Sequence, residues 1–462
     1  MAIKKSTGVT PTERMLAELC ERSFLRLWSY PNPYKDDGKE LCDVLAVFED
    51  RVFIFFDREG RHLDNAESDL GTAWDRWRRK VVEAQIQTAH GAERYLRSGR
   101  QIFLDSGLTV PFPLDVPRDR MTVHKIVVAH GAAEACKNSS TDNVSGSLAV
   151  VYGHPITKPT FPFMINLDKG NPVHVLDSST LPIVFDELDT VWDFSSYLDA
   201  KTEAIRTLDM MVYGAEEDLL AHYYWNYDPI ANRHAVLPKD RTINGLLVPE
   251  GEWHGFIQRP EYQRKKEADK VSYGWDELIQ KTAQNALDGT LIGNADVLRG
   301  RSPIHEMAKE PRFFRRAIAE RMGAAIAGFP NIPGTISRQV TFIPSFYEKK
   351  GYVLFQLRVR GITDYDGDYR PKRQGLLQIA CAAMKNKLPE LETIIGIAIE
   401  PPKFSDTISE DFILLDCHIW SAEQRAHFEK LNVDLKFFTS DSLVQQRMHV
   451  QALPAAPEKM ET

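Results

Sequence analysis

Two apolar runs, Leu41 to Phe48 and Val52 to Asp57, constrain this chain more than any other feature. Only Glu49-Asp50-Arg51 separates them, a connection short enough to predict an antiparallel hairpin. A helix start precedes it: Thr10 suits the N-cap, Pro11 the first helical position, and Glu13, three residues after the cap, completes a capping box. Leu16, Leu19, Cys20, Phe24, Leu27 and Trp28 then give one apolar stripe, until Pro31 and Pro33 end the helix. Asn32 to Gly38 reads as a loop. Beyond the hairpin, Thr72 to Arg97 predicts a long helix with Trp74, Trp77, Val81 and Ala84 on one face, and Val123 to Ala129 predicts a strand. The resulting order is helix, strand, strand, helix, strand. It predicts an α/β fold with α+β elements, opening on an αββαβ core.

At 462 residues the chain is long enough for several folding units of roughly 150 residues each. The middle reads as mixed α/β: strands at Val173 to Leu176 and Leu181 to Phe185, a helix from Glu187 to Ile205, and helix-like segments from Tyr273 to about Ala327. Gly328-Phe329-Pro330-Asn331-Ile332-Pro333-Gly334 is a breaker and the expected boundary. After it come a hairpin, Gln339 to Ser345 with Tyr352 to Val359, a helix from Lys372 to Lys387, and a strand from Thr393 to Ile399. Ser421 with Gln424 caps a last helix. The expected organisation is therefore a first domain at 1–130, a mixed region at 131–330, an α/β domain at 331–451 and a disordered tail at 452–462. No repeat of fixed period is visible.

The composition, 43% hydrophobic and 26% charged, excludes collagen-like, coiled-coil and wholly disordered chains. A formal net charge of -8 argues against a general polyanion-coating protein, so any nucleic-acid contact has to be local. No stretch approaches the roughly 18 apolar residues of a membrane span and the N-terminus lacks a signal-peptide run, which predicts a cytoplasmic protein with no membrane partner. The five cysteines are widely spaced without a CxxC pair and read as buried thiols.

The chemistry-bearing residues surround the hairpin. In antiparallel strands the ends near Asp43 and Asp57 lie side by side, which brings two carboxylates within reach of one hard cation. A helix bearing Glu18 and Glu21 precedes them. These residues resemble the PD-(D/E)XK, or restriction-endonuclease-like, nuclease superfamily, whose core has a helix with an acid, a strand opening on Asp, a strand with (D/E)xK, and a covering helix. The resemblance covers residues 1–130. It implies that Asp43 and Asp57 are catalytic metal ligands for Mg²⁺ or Mn²⁺, with Glu18, Glu21 or Glu40 as a further carboxylate, and that nucleic acid is the partner. One departure stands out: Glu59 occupies the position where the family pattern has Lys. Arg58 points to the other face of a regular strand and stays protonated, so Lys80, on the covering helix, is the substitute expected to complete the site. A basic helix face of Arg76, Arg78, Arg79 and Lys80, with Arg94, Arg97 and Arg100 further on, is then placed to bind phosphates.

The same acids also fit ordinary turn chemistry, and the basic face also fits a solvated helix surface. Two functions therefore stand: a metal-dependent nuclease, a class that fits prokaryotic antiviral defence, or a non-catalytic interaction or sensor protein with a degenerate nuclease-like domain. A protein partner or homo-oligomer is compatible with both. Asp364-Tyr365-Asp366-Gly367-Asp368 has the alternating acids of a calcium loop but an early Gly and Gly375 at the twelfth position, so it reads as an exposed turn. The Glu187 to Phe194 segment reads as a helix start with core aromatics. Phosphate-loop, GxGxxG, GxSxG and HExxH motifs are missing, and His124, His130, His174, His305 and His418 are scattered and read as structural.

Overall fold

The computed structural model describes residues 3–58, 63, 69–139, 148–153, 161–228, 233–240, 242–289, 302–362, 364–404, 409–439 and 450. The chain is α/β, with helices and several separate sheets. It forms two compact units, Met1–Gln263 with Ala283–Gly293, and Arg264–Thr282 with Asn294–Thr462. The glycine- and proline-rich segment at 328–334, the expected boundary, falls inside the second unit. Among the described residues, no helix is long and apolar enough to cross a membrane. The 452–462 tail and Glu59 lie outside the described residues.

In the first unit, helix α1 (Pro11–Phe24) opens with the capping box of Thr10 and Glu13. It stops at Phe24, because Leu25 takes a φ of 66° that no right-handed helix allows. The residues expected to extend it form instead a short edge strand, β1 (Ser29–Pro31), where the missing N–H of Pro31 is tolerated. The core thus has one strand more than the αββαβ order expected. β2 (Val44–Phe48) pairs antiparallel with both β1 and β3 (Arg51–Arg58). β4 (Thr122–Ala129) lies parallel to β3, and β5 (His174–Asp177) parallel to β4. The sheet order is β1-β2-β3-β4-β5.

Side chains two apart on a strand share a face, so Phe53 and Phe55 point the same way. There they meet Phe24 of α1, Phe185 of α4 (Thr180–Glu187) and Phe194 of α5 (Val191–Thr207), in ring contacts of 4.7–6.2 Å between centroids. The run Leu181 to Phe185, expected as a strand, is this α4 helix. A short apolar run does not separate strand from buried helix. The local chemistry decides: Asp177 Oδ1 accepts hydrogen bonds from the Ser179 and Thr180 amides at 2.7 and 2.9 Å and starts the helix. The long helix expected from Thr72 to Arg97 is α2 (Leu70–Trp77) and α3 (Ala84–Arg97), joined through a wider π-type stretch at Arg78–Glu83. A second four-stranded sheet of this unit joins Gly245–Val248, Met210–Tyr213, Ala149–Gly153 and Met164–Asp168.

In the second unit, α7 (Arg312–Ala327) precedes a hairpin of β6 (Ile336–Pro344) and β7 (Lys350–Val359). α8 (Arg370–Lys387) then leads to β8 (Thr393–Ile399), parallel to β7, and β9 (Glu410–Asp416) closes the sheet. The acidic turn at Asp364 is a single wide helical turn, Tyr365–Tyr369, that feeds α8. Helix, hairpin, helix and parallel strand recur here in the order seen in the first unit. That order of elements is shared without a fixed sequence period, while the sheets differ in strand number and in the direction of their last strand. All five cysteines are free and buried.

Candidate functional site

Asp43 directly precedes β2 and Asp57 ends the buried part of β3. Antiparallel pairing brings them together as the sequence predicts. The Asp57 amide donates to Asp43 Oδ2 at 2.6 Å, and the Asp43 amide donates to the Phe55 carbonyl at 3.0 Å. Around Asp43 the charge is all of one sign. Burial pushes its carboxyl up to about 8, helped by the charges of Glu40, Glu13 and Asp57, while the Asp57 amide opposes the shift. Among the described residues, no Lys or Arg pairs with Asp43 or Asp57.

Asp57 is the more deeply set of the two. Its side chain has no exposed surface, and among the described residues neither carboxylate oxygen has a hydrogen-bond partner. His130, just past the end of β4, forms an ion-pair contact with Asp57, its Nε2 2.5 Å from Oδ1 but outside hydrogen-bond geometry. The register Arg58↔Ala129 across parallel strands creates this neighbourhood. The Trp77 indole donates to the His130 carbonyl at 3.0 Å and fixes that end of the strand.

Neither Glu18 nor Glu21, the acids expected to add a further carboxylate, is among those whose charge acts on Asp43. Glu18 is exposed, and Glu21 lies 3.4 Å from Arg26 and 3.8 Å from Lys5. The α1 acid felt by Asp43 is Glu13. The Asn32 amide holds it in place, donating to Glu13 Oε2 at 3.3 Å and to Glu40 Oε1 at 2.6 Å. Glu40 therefore sits where expected, and Glu13 serves both the capping box and the acidic cluster. Its capping spacing gave it one role, which concealed the other.

Lys80 does not reach the acids. Its side chain is exposed, and its backbone carbonyl, not its ammonium, meets the strand by accepting from Arg58 Nη1 at 3.3 Å. Arg76 and Arg79 are exposed, with Arg79 Nε donating to the Asp75 carbonyl at 3.1 Å. Arg78 is engaged by Asp75 and Glu83, Arg97 by Glu93 and Arg100 by Asp36. The basic face is thus partly neutralised by its own neighbours.

Hard carboxylates suit Mg²⁺, which commonly keeps several waters and takes only one or two protein carboxylates. The Asp57 carboxylate, which accepts no hydrogen bond among the described residues, and Asp43 beside it fit that requirement. No group of three or more His, Cys, Asp or Glu side chains at metal-holding geometry is present among the described residues. Comparison of the chain with family models, with curated proteins and with solved structures gives no match.

Proposed function

We propose that the first unit is a metal-dependent, nuclease-like phosphodiesterase acting on nucleic acid, centred on Asp43 and Asp57. One observation carries the reading: a fully buried carboxylate, contacted by the His130 imidazole and lacking any hydrogen bond among the described residues, next to a second carboxyl raised by the charges of Glu40, Glu13 and Asp57. Such a cluster stays folded at neutral pH by holding a proton or a cation. Asp43 and Asp57 would hold Mg²⁺ or Mn²⁺. When bound, the ion supplies an activated water and neutralises charge developing on phosphate. Asn32 orients Glu13 and Glu40 at the mouth of the cluster, and His130 buttresses Asp57 from the neighbouring strand. The exposed side chain of Arg79, on the covering helix beside the acids' end of the sheet, would meet nucleic-acid phosphates.

A second reading has its own support. Among the described residues no ammonium stands beside Asp57, and the side chain of the expected substitute, Lys80, is exposed. A unit of this kind binds nucleic acid or a protein partner without cutting. Titration calorimetry of Mg²⁺ or Mn²⁺ onto the metal-free chain tests the common premise. Saturable binding that disappears in Asp57→Asn supports the metal site. Binding that is undiminished in that variant removes it.

A further inference from the structure

At the opposite end of the same strands, the first unit encloses a cleft of about 630 Å³. Arg51 lines it and lies six residues before Asp57 on β3, which sets the two places about 20 Å apart. The cleft is built into the fold: His124 and Lys125 of β4 and His174 of β5 all line it, each at most 3% exposed. Two of these side chains are incompletely satisfied. Nε2 of His124 and Nδ1 of His174 have no hydrogen-bond partner among the described residues, although Asp199 Oδ1 stands 3.2 Å from the former. Burial and the charges of Lys201, His124 and Lys125 hold His174 well below the ordinary imidazole range, so it is neutral.

The charges of the lining are uneven. Arg51 pairs with Asp199 at 3.0 Å, while Lys125 and Arg97 share Glu93 at 2.7 and 2.9 Å. Glu203, the remaining acid of the lining, is engaged by Arg233 at 2.9 Å, which is not part of the wall. Arg206 is exposed at the rim with no ion-pair partner among the described residues. The cleft therefore presents the unpaired guanidinium of Arg206, a buried ammonium held by Glu93, Asn171 and His90, and the His174 Nδ1 with no hydrogen-bond partner among the described residues. Met121 and Pro172 add apolar wall. The volume falls within the roughly 300–1,000 Å³ of small-ligand sites.

We propose that this cleft binds a phosphate-bearing small molecule of about nucleotide size. Its phosphate meets Arg206 and Lys125, a guanidinium and an ammonium suited to phosphate oxygens, and its uncharged body lies along Met121 and Pro172 with the imidazoles as hydrogen-bonding partners. The assignment is independent of the acidic cluster.

Thermal unfolding of the full chain, titrated with AMP, inorganic phosphate and adenosine at matched ionic strength, tests this. AMP is expected to give a saturable stabilisation, with phosphate and adenosine weaker by tenfold or more. Arg206→Ala is expected to weaken AMP at least tenfold and Asp43→Asn to leave it unchanged. Lys125→Met is expected to act in the same direction. Because Lys125 is buried, the exposed Arg206→Ala carries the test if that second variant does not fold. The absence of any saturable AMP shift, an undiminished shift in Arg206→Ala, or equal shifts from AMP and adenosine would each overturn the proposal. A loss confined to Asp43→Asn would overturn it too, by placing AMP at the acids.

Discussion

Replacing Asp43 by Asn removes the charge of the carboxyl and keeps its shape. In the folded chain this carboxyl titrates near 8 instead of 3.8. The difference, 8 - 3.8, is about four units, and at about 1.36 kcal/mol per unit it corresponds to roughly 5.7 kcal/mol. Solvent around the half-buried group reduces this to about 2–5 kcal/mol. The folded-state value lies above the unfolded one, so the folded chain holds the extra proton between them. The associated stability is complete below about 3.8 and is lost as pH rises through 8. Asn carries no titrating proton and escapes that loss. Denaturant unfolding in the presence of a chelator should therefore find Asp43→Asn more stable than wild type by about 2–5 kcal/mol at pH 8.5, with little difference near pH 4. Added Mg²⁺ at pH 8.5 should then stabilise wild type and leave the variant unaffected. A gap of the same size at both pH values, or a less stable variant at pH 8.5, would mean that the Asp43 carboxyl is not raised by its surroundings.

Phe24→Ala empties the centre of the ring cluster on β3 and should lower stability by about 3–5 kcal/mol in denaturant unfolding. Lys201 is fully buried against Glu216 of α6 (Glu216–Trp225), its Nζ 2.6 and 2.7 Å from the two carboxylate oxygens. Lys201→Met should cost about 3–5 kcal/mol by leaving that acid unpaired, and adding Glu216→Gln should recover much of the loss by the same measurement. Glu18→Ala and Lys80→Ala should keep cleavage activity within about twofold of wild type, because both side chains are exposed.

The parts of this fold that were legible are those set by local chemistry. Thr10 and Glu13 start α1, Ser421 and Gln424 start the helix at Ala422–Asn432, and Thr393–Ile399 is a strand with the predicted ends. The hairpin placed Asp43 beside Asp57 because antiparallel register follows from a short connection. What depends on pairing between distant segments was not legible. His130 reaches Asp57 only because β4 lies parallel to β3 across more than sixty residues of intervening sequence. Ser29–Pro31 becomes a strand only because β2 offers an edge. Glu13 joins the acids through Asn32, a contact between a helix start and a loop. The strands Ala149–Gly153, Met210–Tyr213 and Glu410–Asp416 are short or sit beside stronger helix signals, and their partners alone define them.

A nuclease centred on Asp43 and Asp57 would need both acids for one metal and one phosphodiester. Its most direct test is cleavage of linear duplex and single-stranded DNA and RNA with Mg²⁺ or Mn²⁺, comparing wild type with Asp43→Ala and Asp57→Ala. Metal-dependent cleavage by wild type that is lost in both variants is the predicted result. Absence of cleavage on every substrate, or cleavage that persists in either variant, would rule out a catalytic pair and leave the acids to a structural or partner-binding role.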